Sequence, residues 1–223
     1  MKQSTIVAVV VVIIVALAAW YWMGHKSAPA TVQQQAADYK NITYTIEGQP
    51  VPLVSGQAET PATPGSADMV STRYFGNVAT GDLNGDGMDD VAFLVTQDPG
   101  GTGTFFYVVV ALKTATGYEG TNGVLLGDRI APQTTEIQNG QLVVNYADRA
   151  AGEPMSAEPS VAVSKYLKVQ GTTLVETPKV SGAGGHCGGN MTTAPVCASG
   201  YHCAPEPGSH LPFGDVGGIC VAN

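Results

Sequence analysis

The chain has 223 residues, a formal net charge of −8 and a 13% share of charged residues, a size that allows one moderate domain with appendages. Its ten Lys and Arg residues are scattered, which argues against nucleic-acid binding because phosphate backbones require clustered basic side chains. Gly (28) and Pro (14) are plentiful and favour turns and short strands over long helices.

The first element in the chain is an apolar segment. Residues 6–23 (IVAVVVVIIVALAAWYWM) carry no charge and, as a helix, span about 27 Å, close to the hydrocarbon thickness of a bilayer. The aromatic residues 20–22 suit the membrane interface. We predict a single-pass signal anchor over residues 1–24, a linker over 25–38, and the remaining chain outside the cytoplasm. The alternative is a secreted protein whose signal peptide is cleaved after Ala30.

A series of strand-like segments follows the linker over residues 39–178. Alternating or continuous apolar residues separated by turn signals predict one antiparallel β domain, a sandwich or a barrel-like fold. Residues 55–68 read as a Pro- and Gly-rich loop. The predicted strands are 41–47, 51–54, 74–80, 91–96, 104–113, 124–126, 134–138, 141–146, 161–169 and 172–177.

Three local patterns in this region are more specific. Asn139-Gly140 lies between two strand patterns and is the strongest short signal for a hairpin, and a second hairpin is expected around Gln170-Gly171. Residues 105–112 are apolar on both faces, which is typical of a central strand. The glycine-rich residues 100–103 lack the context of a phosphate-binding loop and are expected at a hairpin tip.

An acidic loop at residues 82–90 (DLNGDGMDD) has the pattern D-x-N-x-D-G-x-x-D. Ca²⁺ prefers six to eight oxygen ligands, and side chains at alternate positions can turn their oxygens toward one centre. Gly87 permits the sharp turn that such a loop needs. The predicted metal ligands are Asp82, Asn84, Asp86, the carbonyl of Met88, and Asp90.

The context of this loop differs from that of an EF-hand. Phe93 stands where an EF-hand has its last carboxylate, and the following residues read as a strand. Four carboxylates within nine residues repel one another in the absence of a cation, so we expect a structural calcium ion. The alternative is a polar turn without metal, because Asn, Asp and Gly are all turn-forming residues.

The sequence around the loop resembles an FG-GAP repeat, the unit that builds β-propeller blades in the head of integrin α-subunits. Residues 74–92 read YFGNVATGDLNGDGMDDVA, with Phe75-Gly76 matching the first half of the motif name and the acidic run matching the repeat's calcium loop. The resemblance extends over about residues 74–96 and implies the same five ligands. Thr96-Gln97-Asp98-Pro99 stands in place of the Gly-Ala-Pro half, and a propeller needs several copies, so only the loop is transferred.

All the cysteines follow a glycine-rich linker at residues 179–185 and define a module over 186–223. An even number of cysteines in an exported segment predicts disulfides; three pairings are possible, of which we favour Cys187–Cys203 with Cys197–Cys220. Zinc is the alternative, with His186, His202 and His210 nearby, but no C-x2-C spacing supports it. The tail resembles small Cys-rich modules of bacterial surface proteins through residues 197–203 and 217–220.

The sequence offers little for catalysis. No His lies within residues 39–178, which excludes a His-based triad in the main domain. We expect a membrane-anchored binding or interaction protein, not an enzyme, that recognises an extracellular protein or a glycan. Alternatives are a structural component of the cell envelope, a protease-inhibitor-like module, or a hydrolase with paired carboxylates. The carboxylates considered for that hydrolase are Asp128, Asp148, Glu153 and Glu158.

Overall fold

The computed structural model describes residues 38–191, 193–206 and 217–223, all within one compact unit, Ala36–Asn223. These residues form strands and turns without a helix, so the all-β prediction is confirmed for them. It follows that no helix in this part of the chain is long and apolar enough to cross a membrane. The predicted anchor, residues 25–37 of the predicted linker, and His210 lie outside the described residues.

The main body contains twelve strands, and five short strands follow near the C-terminus. In chain order the main strands are β1 (Thr43–Ile46), β2 (Gln49–Pro52), β3 (Gln57–Pro61), β4 (Met69–Gly81), β5 (Asp90–Asp98), β6 (Phe105–Thr114), β7 (Gly117–Gly120), β8 (Val124–Asp128), β9 (Ala131–Gln138), β10 (Gln141–Asp148), β11 (Val161–Gln170) and β12 (Thr173–Glu176). The C-terminal strands are β13 (Val180–Ser181), β14 (His186–Cys187), β15 (Val196–Cys197), β16 (Tyr201–Ala204) and β17 (Gly218–Ala222).

The main strands form two antiparallel sheets and a hairpin. Six strands make the larger sheet, in the order β3-β4-β5-β6-β7, with β8 pairing with β6. Four strands make the smaller sheet, in the order β12-β11-β10-β9. The hairpin consists of β1 and β2. The antiparallel arrangement agrees with the short connections expected from the turn signals.

The two predicted hairpins are confirmed. Between β9 and β10, Asn139 and Gly140 have φ of 52° and 66°, the positive values that a tight hairpin turn requires. Between β11 and β12, Gly171 has φ of 62°. The expectation of a loop over residues 55–68 was wrong in part, because β3 lies within it. Pro61 is tolerated there since β3 is the edge of its sheet and needs no second row of hydrogen bonds.

Two apolar cores lie on opposite faces of the six-stranded sheet. The first combines side chains from both sheets, including the fully buried Leu94 and Val108. The second combines the other face with the β1–β2 hairpin and includes the fully buried Phe93 and Val109. Successive residues of β5 and β6 therefore point into different cores, and for this reason residues 105–112 have no polar face.

Side-chain amides link the two sheets at both sides. On one side Asn77 Nδ2 on β4 donates to the carbonyl of Gln133 on β9 (3.2 Å). On the other, Asn122 Nδ2 donates to the carbonyl of Leu174 (3.1 Å) and its Oδ1 accepts the Leu174 N–H (2.7 Å). The Asn122 amide thus bonds to both backbone groups of Leu174, as a neighbouring strand would, and it covers part of the free edge of the four-stranded sheet at β12.

Gln141 fastens the C-terminal segment to the four-stranded sheet. This side chain is 1% exposed, and its Nε2 donates to Thr177 Oγ1 (2.8 Å) and to the carbonyl of Pro178 (2.7 Å). Its Oε1 accepts the N–H of Val180 (2.8 Å). Every polar atom of a buried amide needs a partner, so this side chain holds the chain after β12 against the four-stranded sheet.

The cysteines lie in short strands held by backbone pairing and disulfides. β14, β17 and β16 form a three-stranded antiparallel sheet, and β13 pairs in parallel with β15. Disulfides join Cys187 to Cys203 and Cys197 to Cys220, the pairing favoured from the sequence. The predicted linker at residues 179–185 therefore includes a strand, β13, that belongs to this segment.

Candidate metal centre

The acidic loop connects two neighbouring strands of the six-stranded sheet. β4 ends at Gly81, β5 begins at Asp90, and these two residues are paired across the sheet. The loop is therefore a turn between antiparallel strands, as the sequence predicted. Because residues 90–95 of β5 are all buried, the loop emerges from a rigid part of the fold.

Asp82 organises the first half of the loop. Its Oδ1 accepts the N–H of Gly85 (2.7 Å) and its Oδ2 accepts the N–H of Gly87 (2.9 Å). Both glycines have φ of 83°, a left-handed conformation that favours glycine. The two hydrogen bonds favour the ionised carboxylate and lower the pKa of Asp82, the Gly87 bond having the larger effect.

Asn84 and Asp86 repeat this arrangement along the loop. Asn84 Oδ1 accepts the N–H of Asp86 (2.9 Å), and Asp86 Oδ1 accepts the N–H of Met88 (2.8 Å). Asn84 Nδ2 also donates to Asp86 Oδ2 (3.0 Å). Such side-chain to backbone bonds over two residues are typical of Asx turns. The oxygens at the first, third and fifth positions of the motif are thus directed at the backbone of one tight loop.

Asp90 has a role that the motif alone does not show. Its side chain is completely buried, with Oδ2 accepting the N–H of Leu83 (2.9 Å) and Oδ1 accepting the N–H of Lys113 (2.8 Å). Burial raises the pKa of Asp90, and the two N–H groups partly oppose that effect. Asp90 therefore joins the loop to the end of β6. Neither ion pair of the described residues involves it.

The fit to calcium is good in chemistry and incomplete in geometry. All the predicted ligand atoms are oxygens, which calcium prefers, and two oxygens bound to one Ca²⁺ lie at most about 5 Å apart. A metal site needs several ligand atoms close together. Within the described residues, only one set of three or more Cys, His, Asp or Glu side chains has its ligand atoms within 4.8 Å of one another, and all of its members are cysteines. For at least one pair among Asp82, Asp86 and Asp90, the carboxylate oxygens are therefore more than 4.8 Å apart. Opposite ligands of one calcium ion can lie about 5 Å apart, so all three carboxylates fit one ion only if the oxygens that exceed 4.8 Å bind on opposite sides of it.

The four carboxylates considered for a hydrolase have local structural roles or are exposed. Asp128 forms an ion pair with Arg129 (3.2 Å), and Asp148 accepts the N–H of Arg149 (2.7 Å). Glu153 accepts a backbone N–H within its own loop (2.8 Å), and Glu158 is exposed. These contacts explain the carboxylates as surface and turn residues, and they carry no argument for catalysis.

A small cavity of about 220 Å³ lies where the four-stranded sheet meets the C-terminal segment. Tyr166 and Lys179 line it together with Met191 and Pro195, and Met191 is 60% exposed. Drug-sized ligands occupy roughly 300–1,000 Å³, so the cavity suits one side chain or one sugar ring. Sequence reasoning missed it because its walls come from segments far apart in the chain.

Comparison of the chain with protein-family models, with curated proteins and with solved structures found no match in any of the three. The resemblance of residues 74–92 to an FG-GAP repeat therefore stays a prediction from the sequence.

Proposed function

We propose that this chain is a membrane-anchored, extracytoplasmic binding or interaction protein whose sandwich-like β domain is stabilised by a calcium ion in the loop at residues 82–90. The observation that carries the proposal is that the side-chain oxygens of Asp82, Asn84 and Asp86 all bond to the backbone of the same tight loop. The apolar residues 6–23 support the anchor.

Electrostatics supports a cation in this loop. Asp82 is held in its ionised form by backbone N–H groups, and the negative charges of Asp82 and Asp86 contribute to raising the pKa of Asp90. A divalent cation reverses this unfavourable interaction because it attracts all three carboxylates. Extracellular calcium modules work with dissociation constants of about 0.1–1 mM, so the proposed site needs only modest affinity.

The outer face of the four-stranded sheet supports a binding role. Asn145 connects three strands there, since its Nδ2 donates to Thr134 Oγ1 (2.9 Å) and its Oδ1 accepts from Ser164 Oγ (2.6 Å). Ser164 also lines the cavity beside Tyr166. An aromatic ring beside ordered hydroxyl and amide groups suits a sugar ring or a peptide side chain, in agreement with a glycan or an extracellular protein as partner.

Thermal unfolding with calcium or with a chelator tests the metal site. Ligand at 100 times its dissociation constant stabilises a protein by about 2.7 kcal/mol, which raises the melting temperature by roughly 5–10 °C for a chain of this size. Asp86→Asn should lose most of this increase. Asp89→Asn is the matched control and should keep it, because Asp89 is exposed and outside the alternating ligand set. Identical melting curves with calcium and chelator contradict the calcium site.

The binding role is tested under the same two conditions. An array of extracellular glycans and peptides is probed with the full-length protein in mild detergent, first with calcium and then with chelator. We expect retention of particular glycans or peptides in calcium and weaker retention in chelator, because the ion stabilises the β domain that carries the cavity. An array without any retained ligand in calcium contradicts a binding function.

A further inference from the structure

Three Asn-Gly pairs occur in the chain, at residues 84–85, 122–123 and 139–140. In this dipeptide asparagine converts readily to aspartate or isoaspartate, because glycine has no side chain to hinder the attack of its backbone nitrogen on the asparagine amide. The reaction begins with closure of a ring between these two groups. Hydrogen bonds that hold the glycine N–H or the asparagine side chain therefore oppose it, and the three pairs differ in such bonds.

The pair at residues 84–85 lies in the acidic loop and is held at both reacting groups. The N–H of Gly85 donates to Asp82 Oδ1 (2.7 Å). Both ends of the Asn84 amide bond to Asp86, since Oδ1 accepts its N–H (2.9 Å) and Nδ2 donates to its Oδ2 (3.0 Å). Ring closure at Asn84 therefore requires three hydrogen bonds to break.

The pair at residues 122–123 is held in the same way, by contacts with distant segments. The N–H of Gly123 donates to the carbonyl of Thr45 (2.7 Å). Both ends of the Asn122 amide bond to the backbone of Leu174 (3.1 and 2.7 Å). Three hydrogen bonds again oppose ring closure, and Asn122 is only partly exposed.

The pair at residues 139–140 is free of these restraints. Asn139 and Gly140 form the exposed tip of the hairpin between β9 and β10. Among the hydrogen bonds found in the described part of the chain, none involves the N–H of Gly140 or the side chain of Asn139. Opening of the turn disturbs only the end of the ladder, where Gln138 pairs with Gln141, and such ends open at little cost in free energy.

We propose that Asn139 is a site of spontaneous deamidation in this protein, whereas the fold protects Asn84 and Asn122. The Gly140 nitrogen loses its proton and bonds to Cγ of Asn139, the side-chain nitrogen leaves as ammonia, and a succinimide ring forms. Water then opens the ring at either carbonyl and yields aspartate or isoaspartate. Each event consumes one water molecule and releases one ammonia, without an enzyme or a redox partner.

Isoaspartate at this position acts on the C-terminal segment. It adds a methylene group to the backbone of a tight two-residue turn, and both products add a negative charge there. Gln141 follows the turn directly and holds Thr177 and Val180 through its buried amide. A displaced turn weakens these contacts, so deamidation of one exposed residue becomes an irreversible loosening of the segment that carries the disulfides.

The test is incubation of the full-length protein in mild detergent at mildly alkaline pH, followed by peptide mapping with mass spectrometry. Because breaking three hydrogen bonds lowers the reactive population, Asn139 should deamidate at least about 10-fold faster than Asn84 or Asn122. In concentrated denaturant the three rates should converge, because the same dipeptide then reacts without tertiary contacts. Equal rates in the folded protein, or a faster reaction at Asn84 or Asn122, overturn the proposal.

Asp82→Ala tests the cause of the protection. It removes the acceptor of the Gly85 N–H, so the rate at Asn84 should rise several-fold. The rate at Asn122 should stay low, which shows that the variant is folded. An unchanged rate at Asn84 contradicts protection by this hydrogen bond.

The effect on the C-terminal segment is tested with Asn139→Gln, whose longer side chain closes the corresponding ring far more slowly. After long incubation, hydrogen exchange at the Val180 N–H, which donates to Gln141 Oε1, should be faster in the wild type than in freshly prepared protein. The same incubation should leave the exchange of Asn139→Gln unchanged. Unchanged exchange in wild-type protein enriched in isoaspartate contradicts the loosening.

Discussion

The amide of Asn122 offers a sharp test of how the two sheets are held together. In Asn122→Ala the carbonyl and the N–H of Leu174 both lose their partner. Leu174 is 2% exposed, so water can replace the lost hydrogen bonds only poorly. Each buried group left without a partner costs about 1–3 kcal/mol, and for this half-buried pair we expect a loss of about 2–4 kcal/mol in the free energy of unfolding.

Asn145→Ala is the matched control. Asn145 also makes two side-chain hydrogen bonds across strands, but both are at the exposed surface, where water takes the place of the lost partner. We expect a change within about 0.5 kcal/mol. Urea unfolding followed by circular dichroism measures both variants, and the melting temperature of Asn122→Ala should fall by roughly 5–15 °C. If Asn122→Ala loses no more stability than Asn145→Ala, the amide does not secure β12.

Two further predictions concern Phe93 and Tyr107, which both lie in the second core. Phe93→Ala should destabilise the fold by about 3–5 kcal/mol because Phe93 is fully buried. Phe75→Ala is the control and should cost less than half as much, because Phe75 is 47% exposed. Equal losses of unfolding free energy in urea contradict this account of the packing. Burial, reinforced by the Glu47 carboxylate, raises the pKa of Tyr107 to about 12. The folded state therefore favours the neutral Tyr107 hydroxyl by about 2–3 kcal/mol, a stabilisation that is present below pH 10 and lost as the pH rises to 12. Unchanged free energy of unfolding between pH 9 and 11.5 contradicts this prediction.

The elements predicted well from the sequence are those with a local physical cause. The hairpin at Asn139-Gly140 follows from the positive φ that this pair adopts readily, and the central position of β6 follows from its lack of a polar face. In the candidate site, the turns made by Asp82, Asn84 and Asp86 involve residues two to five apart. Such contacts are encoded in a short stretch of chain, so the motif is enough to predict them.

Other parts of the site depend on residues far apart in sequence. Asp90 receives a hydrogen bond from Lys113, 23 residues away, which no pattern in the loop indicates. In the same way, the spacing of the cysteines does not show that sulfurs of two different disulfides, those of Cys187, Cys197 and Cys203, lie within 4.8 Å of one another. Periodicity and spacing describe neighbours along the chain and carry no information on which segments meet.

The sequence by itself determined the strand content, most strand positions, the hairpin turns and the local shape of the acidic loop, because backbone sterics and side-chain alternation act over a few residues. Only the tertiary structure decided that β3 completes a sheet edge, that Asp90 is buried, and that the two disulfides lie beside each other. These features arise from strand pairing and burial between distant segments, whose free energy is gained only when the whole fold is assembled.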